Sequence, residues 1–348
     1  MENNREFLFT IAIVSYNHSK YLLRNLSACK EQTFEDYEIV FLDNCSTDNS
    51  VEIASDFFRQ NPNIPVTIVD VEKNLGAGPG RVAAAHSSNG KYIIFVDSDD
   101  FLEPDALFNY AESINETDYD AVYAYKKEVD ENYNIVLRPT IKNPHSSKWM
   151  NITLQGACFK TEIFRRASGN IDNMFFEDLY LSLLFSKASG PAVWIDKVTY
   201  NYRINHTSRS SVSVMGVPGR IPAAFVELIE LLVGFESGLA DEDMMIYRYT
   251  LLRVYYSCIF NCRTLSLRAK FEHYRMLNHS FNEFYPGYLK RMELSFDQHY
   301  HLSFKNKIRL SFKLEKIDSV LGRHPAMYCL LIAYHTADKI GLYNKPLR

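Results

Sequence analysis

The chain has 348 residues, a length that exceeds one ordinary α/β domain and predicts a second, smaller unit. Hydrophobic residues make up 47% of it and charged residues 23%, and the net charge of −4 excludes the strong basic excess of a general nucleic-acid-binding protein. The N-terminus has no signal-peptide pattern and no run of about 18 apolar residues occurs, so we expect a cytoplasmic protein.

The first 100 residues alternate between strand-like and helix-like patterns. Four segments are predicted to be strands: residues 9–15, 37–42, 66–71 and 92–96. The first is a continuous apolar run that ends in a small polar residue, which is typical of a strand buried on both faces. Segments with helical spacing separate them, except that we expect the glycine-rich residues 76–80 to form a flexible hinge loop before Arg81. Repeated β-α-β units predict an α/β fold with a mostly parallel sheet flanked by helices.

Polar side chains follow the first, second and fourth of these strands. The three segments are Ser15-Tyr16-Asn17, Asp43-Asn44 and Asp97-Ser98-Asp99. Ligands bind at the carboxyl ends of the strands in sheets of this kind. We therefore expect the three segments to meet at one edge of the sheet and to form the site there.

Asp97 and Asp99 carry the clearest chemical signal. Two carboxylates at positions i and i+2 after a strand can both face one ligand if a turn follows. Carboxylate oxygens suit a hard divalent cation, Mg²⁺ or Mn²⁺, whose other ligands would be diphosphate oxygens. A solvated acidic turn or a helix cap is the alternative. The position of the motif, between an apolar strand and a turn into a helix, favours the metal site.

Several further motifs occur in a fixed order and complete a pattern with these aspartates. They are Ile13-Val14-Ser15-Tyr16-Asn17, Gln32-Thr33-Phe34, Leu42-Asp43-Asn44-Cys45-Ser46-Thr47-Asp48, Asn74 and Gly76 with Arg81, Asp100 with Pro104, Glu177-Asp178, and Tyr202-Arg203 with His206 and Ser210. The set resembles the family 2 nucleotide-sugar glycosyltransferases with the GT-A fold, of the bacterial envelope or capsule polysaccharide type. The resemblance implies a Rossmann-like GT-A domain that uses Mn²⁺ or Mg²⁺.

The resemblance also implies how the nucleotide is held. Val14 and Tyr16 would lie against the base, with Tyr16 stacking on it, and the end of the second strand would bind the base edge. Family members often carry two aspartates at that end, where this chain has Asp43 and Asn44. Uridine remains allowed, because an asparagine amide can accept from an imide N–H and can also donate.

The resemblance also implies which residues bind the diphosphate of the donor and the metal, and these lie at or before the end of the fourth strand. Arg81 would pair with phosphate or brace the base. Asp97, with Ser98 beside it, would contact the ribose or the metal. Asp99 would ligate the metal directly.

Asp178 resembles the family's catalytic base. Inversion at the anomeric carbon needs a carboxylate opposite the leaving diphosphate and within hydrogen-bond reach of the acceptor hydroxyl. Glu177 would lie beside the base and fix its position or that of the acceptor. A favourable interaction of two acidic residues with a helix N-terminus is the alternative interpretation.

Arg203 and His206 are predicted to lie in a loop after the last strand of the α/β region. As cations or hydrogen-bond donors they would clamp the diphosphate, and His206 would ligate the metal. The Ser- and Thr-rich residues 207–211 around this segment would order on donor binding and act as a lid. Surface residues in a polar loop are the alternative.

Turn residues at 216–219 predict a domain boundary, because the pattern is helical after it. We expect a catalytic domain at 1–216, with the nucleotide-sugar side at 1–105 and the acceptor side at 106–216, and a helical domain at 217–348. Residues 300–348 combine basic and apolar residues, which favours either contact with the inner face of an anionic membrane or helices that pack in the protein or a homo-oligomer.

The function expected from these observations is inverting transfer of a sugar from a nucleotide-diphosphate donor, a UDP-sugar, to a glycan, lipid-linked or polymer acceptor. Residues 126–160, which include Trp149 and Gln155, are placed to shape the acceptor pocket. A nucleotidyltransferase is one alternative, although it would usually show a glycine-rich basic loop after the first strand, where this chain has Ser15-Tyr16-Asn17. A non-catalytic glycan-binding relative is another, and the presence of Asp97, Asp99 and Asp178 disfavours it.

Overall fold

The computed structural model describes residues 6–137, 148–150, 153–204, 220–260 and 266–284. The chain divides into two compact units, Met1–Asn205 and His206–Arg348. The predicted boundary at 216–219, the predicted lid with His206 and the predicted basic surface at 300–348 lie outside the described residues. The division of the chain at residue 216 therefore stays a prediction.

The first unit contains a mixed nine-stranded sheet in its described residues. Its strands are β1 Phe7–Ser15, β2 Tyr37–Asp43, β3 Val66–Asp70, β4 Gly90–Asp97, β5 Phe101–Leu102, β6 Ala121–Val129, β7 Ile135–Leu137, β8 Ala157–Lys160 and β9 Ala192–Arg203. They lie in the order β3-β2-β1-β4-β8-β6-β9-β5, and β7 pairs with β6. The first four strands are parallel, as predicted, and β6 is parallel to β9. The other pairs are antiparallel, so the later strands make the sheet mixed.

Helices cover both faces of this sheet and bury β1, β2 and β4 along nearly their whole length. The helices of the first unit are α1 Ser19–Lys30, α2 Ser50–Gln60, α3 Ala77–His86, α4 Ala106–Glu116, α5 Thr161–Ser168 and α6 Glu177–Ala188. Side chains of α1, α2 and α4 share one core with Phe9, Ile11 and Ile13. Side chains of α3, α5 and α6 share the opposite core with Ala12. Alternation along β1 therefore divides its residues between two buried layers.

The predicted hinge loop at 76–80 is wrong for most of its length, because α3 begins at Ala77. The backbone N–H of Gly80 donates to the carbonyl of Gly76 at 3.1 Å, which closes the first turn. Pro79 lies within that turn, where its missing N–H costs no intrahelical hydrogen bond. The glycine-rich run therefore delivers Arg81 from a regular helix.

Strands β1, β2 and β4 end at one edge of the sheet, as the sequence predicted. In the register, Ser15 of β1 pairs with Asp43 of β2, and Val14 of β1 pairs with Asp97 of β4. The three polar segments that follow these strands consequently lie side by side.

The second unit is helical in its described residues. It contains α7 Arg220–Leu231, α8 Asp241–Phe260 and α9 Leu267–Phe284. Its buried core includes Phe225, Leu228, Tyr247, Tyr255, Tyr274 and Leu277. No helix in the described ranges has both the length and the apolar character that a membrane span requires.

Candidate active site

The turn after β4 is held by buried hydrogen bonds. The N–H of Asp100 donates to the carbonyl of Asp97 at 2.9 Å. The buried amide of Asn25, on α1, donates to the carbonyls of both residues, at 3.0 and 2.9 Å. Helix α1 therefore fixes the turn that carries the two candidate metal ligands.

Tyr200 of β9 ties the same turn to the neighbouring part of the sheet. Its hydroxyl accepts from the N–H of Asp97 at 3.1 Å and donates to Oδ2 of Asp100 at 2.8 Å. The N–H of Arg203 donates to Oδ1 of Asp100 at 2.7 Å. Burial, together with the charges of Asp99 and Asp97, raises the pKa of Asp100 well above its usual value. Asp100 is thus a buried structural carboxyl, and the sequence did not indicate Tyr200 as its partner.

Arg81 joins the turn to the N-terminus of α6. Its guanidinium is buried, and Nη2 donates to Oδ1 of Asp97 at 2.7 Å. Nη1 lies 2.7 Å from Oδ1 of Asp178 and 3.5 Å from a carboxylate oxygen of Glu177. The structure therefore gathers three carboxylates, each singled out from the sequence, around one cation.

Gln155 closes this arrangement into a ring. Its Nε2 donates to Oδ2 of Asp97 at 2.7 Å and to Oδ2 of Asp178 at 3.0 Å. Each aspartate therefore faces Arg81 with one oxygen and Gln155 with the other. We call this set of four side chains, Arg81, Asp97, Gln155 and Asp178, the carboxylate ring.

Arg81 and Asp97 in the carboxylate ring stabilise each other's charged forms. Burial alone would lower the pKa of Arg81, but the charges of Asp178, Asp97 and Glu177 outweigh burial and raise it. Burial alone would raise the pKa of Asp97, but the charge and hydrogen bond of Arg81 and the hydrogen bond of Gln155 lower it. Arg81 and Asp97 are therefore both charged at neutral pH.

The end of β2 carries one buried hydrogen-bond acceptor, an oxygen of Asp43. Oδ2 of Asp43 accepts from the N–H of Ser46 at 2.8 Å, while its Oδ1 is buried and has no hydrogen-bond partner among the described residues. The Asn44 amide accepts from the N–H of Leu75 at 2.8 Å and donates to the carbonyl of Gly76 at 3.0 Å. Asn44 thus braces the segment before α3, and Oδ1 of Asp43 is a buried hydrogen-bond acceptor without a partner among the described residues.

The other predicted nucleotide contacts lie beside this acceptor along the same sheet edge. Val14 is half-buried against α3, and a Cβ at Gly80 would come within 2.9 Å of its Cγ1. The Tyr16 side chain is 43% exposed, so its ring is accessible to a ligand. Ser98 is buried, and its hydroxyl lies 2.7 Å from Nδ1 of His18, a residue that sequence reasoning missed.

Arg203 does not lie in the predicted loop, because β9 extends to this residue. Its side chain is buried, and Nε donates to the carbonyl of Asp99 at 2.7 Å. The guanidinium stacks over the rings of Tyr21 and Tyr133, at 4.3 and 4.7 Å from their centroids. Its Nη2 is buried without a hydrogen-bond partner in the described residues. Arg203 therefore supports the Asp99 backbone, and its predicted role with diphosphate stays a prediction.

The turn after β4 fits a divalent cation that takes part of its ligand set from substrate. No group of three or more metal-ligating side chains occurs in the described ranges. Asp97 and Asp99 are both partly exposed at the sheet edge, but the oxygens of Asp97 already face Arg81 and Gln155. Proteins often bind Mg²⁺ through one or two carboxylates, while diphosphate and water supply the remaining oxygen ligands. The sequence-based preference for Asp99 as the direct ligand stays a prediction.

Comparison with known sequences points to one family for the sheet region. Residues 10–169 match the glycosyl transferase family 2. The chain is 28% identical over 219 residues to chondroitin synthase of Escherichia coli, an alignment that covers 60% of this chain and 31% of that protein. It likewise spans only about a third of the length of its next curated relative, glycosyltransferase GlyA of Streptococcus pneumoniae, where the alignment covers 37%.

Solved structures show the same fold. The crystal structure of residues 1–349 of TarS from S. aureus, in complex with UDP-GlcNAc, matches with a TM-score of 0.68 at 20% identity and covers 90% of this chain and 92% of that chain. The mannosyltransferase PcManGT from Pyrobaculum calidifontis, in complex with GDP-Man and Mn²⁺, matches with a TM-score of 0.55 at 14% identity and covers 98% of this chain and 88% of that chain. These similarities establish the GT-A fold expected from the sequence motifs.

Proposed function

We propose that the protein transfers a sugar from a nucleotide-diphosphate donor to an acceptor hydroxyl with inversion, and the match of residues 10–169 to the glycosyl transferase family 2 supports this. The observation that carries the proposal is the carboxylate ring. It brings Asp97, at the strand end where a donor would bind, and Asp178, at the N-terminus of α6, to one buried guanidinium. A donor-side carboxylate and a base that lie this close can act on one anomeric carbon.

The donor in this proposal is a UDP-sugar. The buried Oδ1 of Asp43 can accept the imide N–H of uracil, since a carboxylate is an acceptor only. Tyr16 is exposed enough to stack on the base beside it. The UDP-GlcNAc complex of TarS, a protein of the same fold, supports a uridine donor for this chain.

Asp99, with Asp97 beside it, would hold Mn²⁺ or Mg²⁺, which supplies charge neutralisation for the leaving diphosphate. The Mn²⁺ complex of PcManGT supports this part of the proposal. Asn25, Tyr200 and Arg203 hold the backbone of the turn, so the two carboxylates keep their spacing before any ligand arrives. A preorganised site of this kind needs little rearrangement when it binds.

Asp178 is the proposed general base. As the acceptor oxygen forms its bond to the anomeric carbon, the bond from that carbon to the diphosphate breaks, and the hydroxyl proton passes to Asp178. Glu177, the first residue of α6, lies at the same guanidinium and would help to position the acceptor. The acceptor remains a glycan, a lipid-linked sugar or a polymer, and contact of the C-terminal region with a membrane or a second copy remains a prediction.

A donor screen tests the proposal directly. Thermal shifts would be measured with UDP-GlcNAc, UDP-glucose and GDP-mannose, each with and without Mn²⁺, followed by assay of nucleoside diphosphate released. We expect stabilisation by one UDP-sugar that depends on Mn²⁺, and release of UDP. Release of pyrophosphate in an assay with UTP and a sugar phosphate would indicate a nucleotidyltransferase instead. Binding without any release, in water or with added glycans, would indicate a non-catalytic relative.

A further inference from the structure

Gln155 occupies a position in the carboxylate ring that none of the motifs above assigns. We propose that Gln155 is a positioning residue that fixes the carboxylate of Asp178 and links it to Asp97. The inference rests on the proposed function, because it takes Asp178 as the general base. Gln155 itself transfers no proton and acts only through the two carboxylates that it contacts.

The two aspartates depend on Gln155 to different degrees. Asp97 accepts well-formed hydrogen bonds from both Arg81 and Gln155, at 2.7 Å each. Asp178 lies equally close to Arg81, but that ion pair lacks hydrogen-bond geometry, and Oδ1 of Asp178 has no hydrogen-bond partner in the described residues. The Gln155 contact at 3.0 Å is therefore the hydrogen bond that sets the orientation of the Asp178 carboxylate. Without it, the carboxylate could rotate while its charge stayed beside Arg81.

The chemistry of an amide suits this position. One Nε2 atom carries two hydrogens, and in this ring each hydrogen can point to a different carboxylate. A glutamate at the same place would instead set a third negative group against the two aspartates. A methionine would keep the length of the side chain but would donate nothing.

The backbone around Gln155 is anchored firmly enough for such a role. Gln155 is 8% exposed and lies two residues before β8, between β4 and β6 in the sheet. The next residue, Gly156, has φ +73°, and its carbonyl accepts from the N–H of Ala124 at 2.8 Å. A side chain at 156 would be strained at that φ. Gln155 thus connects a fixed point of the sheet to the first turn of α6.

Two substitutions at Gln155 test the positioning role, with Gln60→Met at the exposed end of α2 as the matched control. The assay is UDP release from the UDP-sugar that the donor screen identifies, with UDP·Mn²⁺ affinity measured by calorimetry. We expect Gln155→Met to lower kcat by about 10- to 100-fold, the loss typical of a misplaced catalytic group, with UDP affinity unchanged. Gln155→Glu should lose more, because repulsion replaces attraction at both contacts. Gln60→Met should behave as the unmodified protein.

A double variant separates a role through Asp178 from a general structural one. If Gln155 acts through Asp178, the release rate of Gln155→Met/Asp178→Asn should equal that of Asp178→Asn alone. Losses that multiply, or a kcat for Gln155→Met equal to that of the control, would overturn the proposal.

A crystal structure of Gln155→Met gives a readout that does not depend on activity. We expect Asp97 to stay on Arg81 while the Asp178 carboxylate turns away from its present orientation. An unchanged Asp178 carboxylate would overturn the positioning role even if the rate falls. Absence of nucleotide release from the unmodified protein with every donor would instead overturn the proposed function, and the Asp178 orientation would still decide the role of Gln155.

Discussion

Nη1 of Arg81 lies 2.7 Å from Oδ1 of Asp178, and this ion pair joins α3 to the first turn of α6. The two residues are 97 positions apart by their numbers, and the sequence motifs suggested separate roles for them. Nη2 of the same guanidinium holds Asp97. Arg81 therefore links the donor side of the site to the proposed base, whatever further contact it makes with a nucleotide.

The first prediction concerns the base. Asp178→Asn should reduce UDP release by about 10²- to 10⁴-fold, because an amide cannot take the acceptor proton. Calorimetry with UDP and Mn²⁺ should show nearly unchanged binding, since Asp97, Asp99 and Asp43 remain. Asp172→Asn, an exposed aspartate six residues earlier, is the control and should retain full activity. Near-normal turnover of Asp178→Asn would show that another group is the base.

The second prediction concerns the metal. Asp99→Asn should weaken UDP binding in the presence of Mn²⁺ by at least about tenfold, since even the loss of a group that supports a ligand typically costs 10- to 100-fold. In the presence of a chelator, the variant and the unmodified protein should bind UDP equally. Asp196→Asn, at an exposed position of β9, is the matched control. Equal weakening with and without Mn²⁺ would assign Asp99 a role other than metal binding.

The third prediction concerns stability. Arg81→Met should lower the free energy of unfolding by about 3–5 kcal/mol, because it leaves Asp97, Asp178 and Glu177 together without their shared cation. Denaturant unfolding at neutral pH measures the change. The control is Arg59→Met, which breaks only an exposed pair with Asp56 and should cost about 0–1 kcal/mol. A loss for Arg81→Met as small as that of the control would show that Arg81 does not stabilise the three carboxylates around it.

The fourth prediction concerns pH and Asp48, whose carboxylate accepts hydrogen bonds from the first residues of two helices. Oδ2 accepts from the N–H of Ser19 at the start of α1, and Oδ1 accepts from the N–H of Ser50 at the start of α2, both at 3.0 Å. Burial is the largest single influence and opposes the charge. The hydrogen bonds from the Ser50 hydroxyl, from Ser19 and from the Ser50 N–H together outweigh it and lower the pKa of Asp48 to about 2. The folded pKa is below the unfolded value of about 3.9, so the stabilisation is present above that pH. It is lost as the pH falls towards 2.

Asp48→Asn should remove this contribution. We expect a loss of about 0.5–2 kcal/mol in the free energy of unfolding at neutral pH, the usual effect of removing a helix cap. The difference from the unmodified protein should shrink as the pH falls from about 4 to 2. Asp56→Asn, at an exposed site on α2, should change stability little at any pH. A difference for Asp48→Asn that stays constant with pH would show that the charge is not what stabilises the two helices.

Much of the fold follows from local patterns. Strands β1, β2 and β4 are predominantly apolar segments, and a segment buried on both faces has few alternatives to a central parallel strand. The polar residues that end these strands then meet by geometry alone, which is why Asp43, Asp97 and Asp99 were identified. The glycine-rich start of α3 was misjudged, because flexible residues in a regular first turn look like a loop. The end of β9 was also misjudged, so Arg203 was expected in a loop although it is buried.

The sequence by itself determined the chemistry available to this protein: acidic strand ends, an arginine before the fourth strand and an acidic pair at the start of α6. Only the tertiary structure decided which of these groups touch. Arg81, Gln155 and Asp178 come from elements far apart in the chain, and pairing by strand register and helix packing is not encoded in any local pattern. Gln155 has no motif of its own, because a neutral amide takes its role entirely from the two carboxylates that the fold places on either side of it.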